Sequence, residues 1–143
     1  MTIQQISVFV ENKSGRLADI TQVLHDNGID IRALSIADTT NFGVLRMIVN
    51  EPDNALKVLL DKGFTVNQVP VAAVQLKDVP GEANRVLQAL KSLGIGFEYA
   101  YAFTAHNEFG AFLVLRAEDT EKVAETLHNA GFTLLDSADL CRL

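Results

Sequence analysis

The chain has 143 residues, of which 48% are hydrophobic and 21% charged, enough for one ordinary domain or two very small ones sharing a core. Its formal net charge is −6 and it has no cluster of Lys and Arg, which argues against nucleic acid as a partner. The first residues, "MTIQQISVFVEN", lack the basic region of a signal peptide and an apolar stretch long enough to span a membrane. With Cys141 as the only cysteine, these features favour a soluble cytoplasmic protein.

The chain begins with a predicted strand followed by an amphipathic helix. Ile6, Val8 and Val10 alternate with less apolar neighbours, a pattern typical of a strand with one buried face. Apolar residues spaced i, i+3, i+4 and i+7 then predict a helix that ends at Gly28, since glycine is the common residue just after a helix.

Two further strands and a second helix follow. A strand is expected over residues 30–37, and a turn rich in Thr and Asn leads to the apolar run "VLRMIV", which is typical of a central strand. The second helix begins near Pro52, because proline is favoured in a first helical turn, and ends at Gly63. A last strand begins at the following Phe.

The same series of signals repeats about 66 residues later. Gly81 follows Gly15 by 66 residues, and "GFTL" at 131–134 repeats "GFTV" at 63–66. The second copy predicts strands at 72–76, 96–103 and the run "AFLVL", with its second helix beginning near Asp119. Its end, "DSADLCRL", fits either a strand or a helical turn.

The predicted order β-α-β-β-α-β, present twice, is that of the ferredoxin-like fold. We therefore expect an α+β protein with module 1 at 1–70 and module 2 at 71–143, each with both helices on one face of an antiparallel sheet. The junction "NQVPVAAV" is too short for a flexible linker, so the modules should lie side by side. The second strand of each module lies at a sheet edge, and pairing of these two edges would give one continuous eight-stranded sheet.

This pairing would place the loop before each first helix beside the second strand of the other module. Glycine and the free N–H groups of a helix start suit a carboxylate, and Asn12 and Asp78 could accept bonds from an amino group. Asn12, Ser14 and Asp78 are equally suited to ending a loop and capping a helix. The second strands that would face the two loops differ in side-chain size, so the two cavities should be unequal. The alternative is that the strand rich in Phe and Tyr simply packs the core between the modules. One face offers Ile31, Ala33, Ser35 and Ala37, and its counterpart offers Phe97, Tyr99, Tyr101 and Phe103.

The segments "VFVENKSGRLADITQVLHDNGIDIRAL" and "VQLKDVPGEANRVLQALKSLGIGFEYA" resemble the ACT domain, a regulatory module that binds amino acids and other small effectors. The resemblance covers the chain as two tandem copies and implies that ligands bind where two modules pair. Ser14 departs from the proline that the family commonly has before the glycine that opens the first helix. In module 2, Ala83 and Asn84 replace the larger apolar residues that are usual early in this helix. The candidate ligand contacts are Asn12, Lys13, Ser14, Gly15, Arg16, Leu17 and Ser35, together with Asp78, Val79, Pro80, Gly81, Glu82, Tyr99 and Tyr101.

The function expected from this resemblance is that of a regulatory protein that binds a small effector, most plausibly an amino acid, without a catalytic domain. No activated nucleophile, cofactor motif or metal-ligand spacing is visible, and acylphosphatase chemistry on the same fold lacks a convincing Arg and Asn pattern. "VENKSGRLADI" also resembles the regulatory small subunit of acetolactate synthase, and a structural module that binds only a partner protein is a further alternative. Leu34 and Ile36, placed on the helix-free face of the sheet, suggest a homodimer.

Overall fold

The computed structural model describes residues 1–38, 41–105 and 109–143, and these contain six strands, four helices and one 3-10 turn. The strands are β1 (Ile3–Glu11), β2 (Ile31–Asp38), β3 (Phe42–Val49), β4 (Val66–Leu76), β5 (Tyr99–Thr104) and β6 (Ala111–Arg116). The helices are α1 (Arg16–Asp26), α2 (Pro52–Asp61), α3 (Glu82–Ser92) and α4 (Thr120–Asn129), and the 3-10 turn is Leu140–Arg142.

The chain divides into two compact units. The N-terminal unit is Gln4–Val69, and the C-terminal unit is Pro70–Leu143 together with Met1–Ile3. The N-terminal unit has the βαββαβ order, and the C-terminal unit has the same order with its last strand reduced to one bridge, which confirms the predicted α+β, ferredoxin-like fold class.

In the N-terminal unit, β3 lies between β2 and β1 and pairs antiparallel with both. Val8 lies opposite Leu45 and is fully buried, as the alternation of β1 predicts. These strand residues pack against Ile20 and Leu24 of α1 and Leu59 of α2. Both helices therefore cover one face of this sheet, which we call the helix-covered face.

The C-terminal unit repeats this arrangement with β6 between β4 and β5. Val74 lies opposite Leu113, and both pack against Val86 and Leu90 of α3 and Leu127 of α4. Leu24 and Leu90 occupy equivalent positions and are 0% and 1% exposed. The two cores are thus built from the same positions of the repeat.

The expectation of eight strands is wrong, because the described residues form six. The last strand of module 1 and the first strand of module 2 are one continuous strand, β4, which contains Pro70. The last strand of module 2 is reduced to one antiparallel bridge between Val74 and Leu134, after which Leu140–Arg142 form the 3-10 turn. Of the two alternatives for the C-terminal sequence, the helical turn is therefore the one observed.

The predicted pairing of β2 with β5 is also wrong for a single chain. Over the described residues, β2 forms its ladder with β3, and β5 forms its ladder with β6. β5 begins at Tyr99 rather than at residue 96, so Phe97 precedes the strand. The two second strands are the outer strands of their own units, and their outer edges are not joined to each other.

The faces of β2 differ from those expected. Leu34 and Ile36 lie opposite Met47 and Leu45, which belong to the core beneath the helices, so they are on the helix-covered face and not the helix-free face. The register shifts between Ile31 and Ala33, and this irregularity changes which face the residues before it occupy. Leu34 and Ile36 remain about half exposed, because they lie at the sheet edge.

Candidate functional site

The loops before α1 and α3 have the same backbone conformation. Gly15 and Gly81 precede their helices with φ angles of 84° and 92°, a left-handed conformation that favours glycine. The N–H of Lys13 donates to the carbonyl of Glu11 at 2.7 Å, and that of Val79 donates to the carbonyl of Lys77 at 2.8 Å. The prediction that a glycine opens each first helix is confirmed.

Neither helix start is capped by a side chain in the described residues. Asn12, Ser14 and Asp78 therefore do not act as the caps that the sequence left open as an alternative. The N–H groups of Leu17 and Ala18 find no acceptor among the described residues. Such groups carry the positive end of the helix dipole and can receive an anion.

Beside the start of α1 lies an open cavity of about 370 Å³, which we call the loop-1 niche. Its volume falls within the range usual for small-molecule sites. Val10, Leu17 and Ile36 give it an apolar wall. Its complete lining is Val10, Glu11, Asn12, Lys13, Gly15, Leu17, Ile36 and Gly43.

The charged groups of the niche form an ion pair. Lys13 Nζ lies 2.9 Å from Glu11 Oε2, and this hydrogen bond, aided by the charge of the ammonium, lowers the pKa of Glu11. Both side chains are substantially exposed, so the pair adds little to folding stability. The niche thus offers one carboxylate, one ammonium, an amide side chain and an apolar wall.

The structure brings Asn12, Lys13, Gly15 and Leu17 together in the niche. Arg16 instead lines a neighbouring cavity of about 90 Å³, where its guanidinium lies 6.0 Å from the centroid of the Phe64 ring. Ser14 is exposed and lines neither cavity. Ser35 lies opposite Arg46 on the helix-free face, away from the helix-covered face that carries Ile36.

In the C-terminal unit, Asp78 and Glu82 line a cavity of about 530 Å³ between the start of α3 and the turn after α4. Glu82 accepts two hydrogen bonds from Arg85, at 3.0 and 3.2 Å, and its side chain is only 11% exposed. These bonds are the main cause that lowers the pKa of Glu82. The Arg85 guanidinium also lies 4.3 Å from the centroid of the Phe132 ring, so Arg85 is held on two sides.

The other candidates of module 2 are not gathered in this cavity. Val79, Pro80 and Gly81 are exposed loop residues outside its lining. Tyr99 and Tyr101 lie opposite Arg116 and Val114, on the face of the sheet away from the helices. Only Asp78 and Glu82 of the seven predicted contacts therefore meet there.

Sequence reasoning missed several lining residues. Ile36 is adjacent to Ser35, and the choice between them depends on which face of β2 meets the helices. Arg85 and Phe132 are 47 positions apart, so their contact has no local signal. The alignment of the two copies could have suggested it, because "GF" follows the second helix in both.

A metal site is not evident in the described residues. They contain no group of three or more His, Cys, Asp and Glu side chains able to hold a metal ion. Cys141 is exposed within the 3-10 turn, and His106, expected in a loop, is outside the described residues. Every helix in the described part of the chain is too short or too polar to cross a membrane.

Comparison with known proteins agrees with this architecture. A family model described as an ACT domain pair matches residues 1–143. The solved structure of protein BT0572 from Bacteroides thetaiotaomicron is 40% identical, with a TM-score of 0.91 over 100% of this chain and 98% of that chain. No curated protein gives a significant match.

Two more distant structures share the fold. The ligand-free regulatory subunit of aspartate kinase from Thermus thermophilus is 22% identical, with a TM-score of 0.61 over 89% of this chain and 91% of that chain. The corresponding subunit from Thermus flavus is 19% identical, with a TM-score of 0.55 over 90% and 92%. At these identities the likeness concerns the fold alone.

Proposed function

Because the chain belongs to the ACT domain pair family, we propose that it is a non-catalytic regulatory protein that binds a small amino acid in the loop-1 niche. The observation that supports this most is that the uncapped start of α1 and an apolar wall line the same cavity. The binding state would be passed to a partner protein, with a regulated metabolic enzyme as the expected partner and the cytoplasm as the expected location.

The niche has a complementary group for each part of an amino acid. The N–H groups of Leu17 and Ala18 suit the carboxylate, because both are backbone donors at a helix start. The amide oxygen of Asn12 or the Glu11 carboxylate suits the ammonium group. Val10, Leu17 and Ile36 suit an aliphatic side chain, so small aliphatic amino acids are the class that this lining favours.

Regulation would follow from linkage. A ligand that binds one conformation better than another shifts the equilibrium by its differential affinity, and a partner that recognises that conformation responds. At a free concentration 100 times its dissociation constant, a ligand stabilises the native state by about 2.7 kcal/mol. This is enough to change the population of a regulatory state.

The test is calorimetric titration of the full chain with each proteinogenic amino acid. We expect selective binding of one or a few aliphatic amino acids. Asn12→Ala should weaken this binding at least about tenfold, equivalent to about 1.4 kcal/mol, since it removes one polar contact. The matched control is Asp78→Ala, which changes the equivalent loop position and should leave affinity within about twofold.

Two results would contradict the proposal. Absence of binding for every amino acid would favour the alternative of a module that binds only a partner protein. Equal loss of affinity in Asn12→Ala and Asp78→Ala would show that the effect is not local to the niche.

A further inference from the structure

The C-terminal unit contains a cavity that the function proposed above does not use. It is the cavity of about 530 Å³ between the start of α3 and the turn after α4, which we call the α3 cavity. Its volume falls within the range usual for small-molecule sites. Lys77, Glu82, Arg85 and Phe132 are among the residues that line it, and its charged groups come from the loop before α3 and from α3 itself.

Arg85 is held in one orientation in the α3 cavity. Its Nε and Nη2 atoms donate to the Glu82 carboxylate at 3.0 and 3.2 Å, and its guanidinium lies 4.3 Å from the centroid of the Phe132 ring. Nη1 has no acceptor among the described residues, so the end of the guanidinium formed by Nη1 and Nη2 remains able to donate. A cation that is already oriented loses little side-chain entropy on binding, which favours recognition by this end.

Lys77 adds a second cation to the lining. In the described part of the chain no carboxylate forms an ion pair with its ammonium. After the hydrogen bonds from Arg85, the charge of Lys77 also contributes to the lowered pKa of Glu82, so both cations act on the same carboxylate. Glu82 balances the charge of only one of them.

The other acidic residue in the described lining is Asp78, which is exposed in the loop before α3. Its side chain forms no hydrogen bond or ion pair with the described residues, so no contact holds it in one orientation. The charged group that the fold orients at this cavity and leaves able to bind is therefore a donor, Arg85, and not an acceptor. This favours a ligand that presents an anionic group.

We propose that the α3 cavity binds a small molecule through an oxyanion group, which is a carboxylate or a phosphate. The free end of the Arg85 guanidinium donates to two of its oxygens, and the Lys77 ammonium supplies a further charge-assisted hydrogen bond. Glu82 and Phe132 are positioning residues, because they hold Arg85 and do not themselves bind the anion. This site is separate from the loop-1 niche and does not depend on the function proposed for that niche.

The corresponding place in the N-terminal unit lacks this chemistry. Glu11 and Asp19 occupy the positions of Lys77 and Arg85, 66 residues earlier in the chain. The cavity there has a volume of only about 90 Å³. An anion would meet acidic residues in place of the two cations, so we expect one oxyanion site per chain.

The test is calorimetric titration of the full chain with inorganic phosphate and, separately, with succinate, so that the stronger response identifies the oxyanion. We expect binding of at least one of these probes. Arg85→Ala and Lys77→Ala should each weaken it at least about tenfold, because each removes a charge-assisted hydrogen bond. Lys91→Ala is the matched control, since it removes a positive charge from the last turn of α3, and it should leave the affinity within about twofold.

Two variants that each remove one carboxylate separate positioning from simple charge attraction. Asp78→Asn should strengthen the binding about twofold or more, because it removes a negative charge near the anion. Glu82→Gln removes a negative charge as well, but it should weaken the binding about fivefold or more, because Arg85 is no longer held. Circular dichroism checks that every variant is folded.

Four results would overturn the proposal. The first is the absence of binding for both probes, and the second is an equal loss of affinity in Lys91→Ala, which would show attraction by net charge alone. The third is stronger binding in both Glu82→Gln and Asp78→Asn, which would show that the orientation of Arg85 does not matter. The fourth is weaker binding in Asp78→Asn, which would show that Asp78 supports the ligand rather than opposing it.

Discussion

The two units place the same backbone turn before their first helices but surround it with opposite charges. Glu11, Arg16 and Asp19 of the N-terminal unit correspond to Lys77, Glu82 and Arg85 of the C-terminal unit, 66 residues later. In both units an arginine lies over the phenylalanine that follows the second helix, at 6.0 Å for Arg16 and 4.3 Å for Arg85. The arginine comes from different positions of the helix in the two units.

This difference shows which features are the same in both copies of the repeat and which are not. The glycine, the turn and the buried helix positions set the backbone and are the same in both units. The side chains around the turn set the chemistry, and they give a cavity of about 90 Å³ in one unit and about 530 Å³ in the other at the corresponding place. We therefore expect scaffold substitutions to act equally in both units and loop substitutions to act unequally.

The largest effects should come from the equivalent core positions. Leu24→Ala and Leu90→Ala each remove a fully buried side chain, and each should lower the free energy of unfolding by about 3 kcal/mol, within the usual 2–5 kcal/mol. Urea unfolding followed by circular dichroism measures both. The exposed Leu60→Ala is the control and should change stability by less than about 0.5 kcal/mol. A difference above about 2 kcal/mol between the two core variants would show that the cores are not equivalent.

The next largest effects should come from the glycines that open the helices. Gly15→Ala and Gly81→Ala should each cost about 1–2 kcal/mol, because a Cβ is strained at positive φ. A Cβ at either position would meet no atom within 4 Å, so the cost is that of the backbone alone. Gly96→Ala is the control, since it has equal space without a positive φ. If Gly96→Ala were as costly, the explanation by backbone strain would be wrong.

These glycines were predictable because a repeat makes a weak signal visible twice. Gly15 or Gly81 alone would be one glycine at a turn, but together they fix the start of the first helix in both units. The alternation of Ile6 and Val8 and the helical spacing of Ile20 and Leu24 likewise identify buried faces. Fold class and element order therefore followed from local periodicity.

The features that were missed depend on long-range pairing. On β2 both faces are apolar, since Ala33 and Ala37 alternate with Leu34 and Ile36, so alternation does not identify the face beneath the helices. The boundary between the modules was placed after residue 70, and two separate strands were expected on either side of it, yet one strand, β4, continues through Pro70 although a proline removes a hydrogen-bond donor. The loops before α1 and α3 were therefore predicted as observed, whereas the strand that was expected beside each loop was not.

A smaller effect should distinguish the two arginine–phenylalanine contacts. Arg85→Ala should cost about 0.5–1 kcal/mol through the lost contact with Phe132, and Arg16→Ala should cost less because 6.0 Å is the limit of such contacts. A double-mutant cycle with Phe132→Leu and Phe64→Leu isolates each interaction from other effects of the substitutions. A coupling energy as large for Arg16 and Phe64 as for Arg85 and Phe132 would contradict the distances.

The smallest effect should be a pH dependence of stability that comes from Glu82 in the C-terminal unit. Hydrogen bonds from Arg85 lower the pKa of Glu82, so the folded state keeps this carboxylate ionised at a pH where the unfolded chain has begun to protonate it. The stabilisation is therefore fully present above the ordinary glutamate range and is lost as the pH falls through the lowered pKa. Glu82→Gln should unfold more easily than the wild-type chain at neutral pH, and this difference should shrink in acid. Arg16→Gln changes the equivalent side chain without removing a carboxylate. Arg16 is only the smallest cause that lowers the pKa of Glu11, so the difference of this variant from wild type should depend on pH less than that of Glu82→Gln. A Glu82→Gln difference that stays constant from neutral to acidic pH would mean that Arg85 does not hold the Glu82 carboxylate in solution.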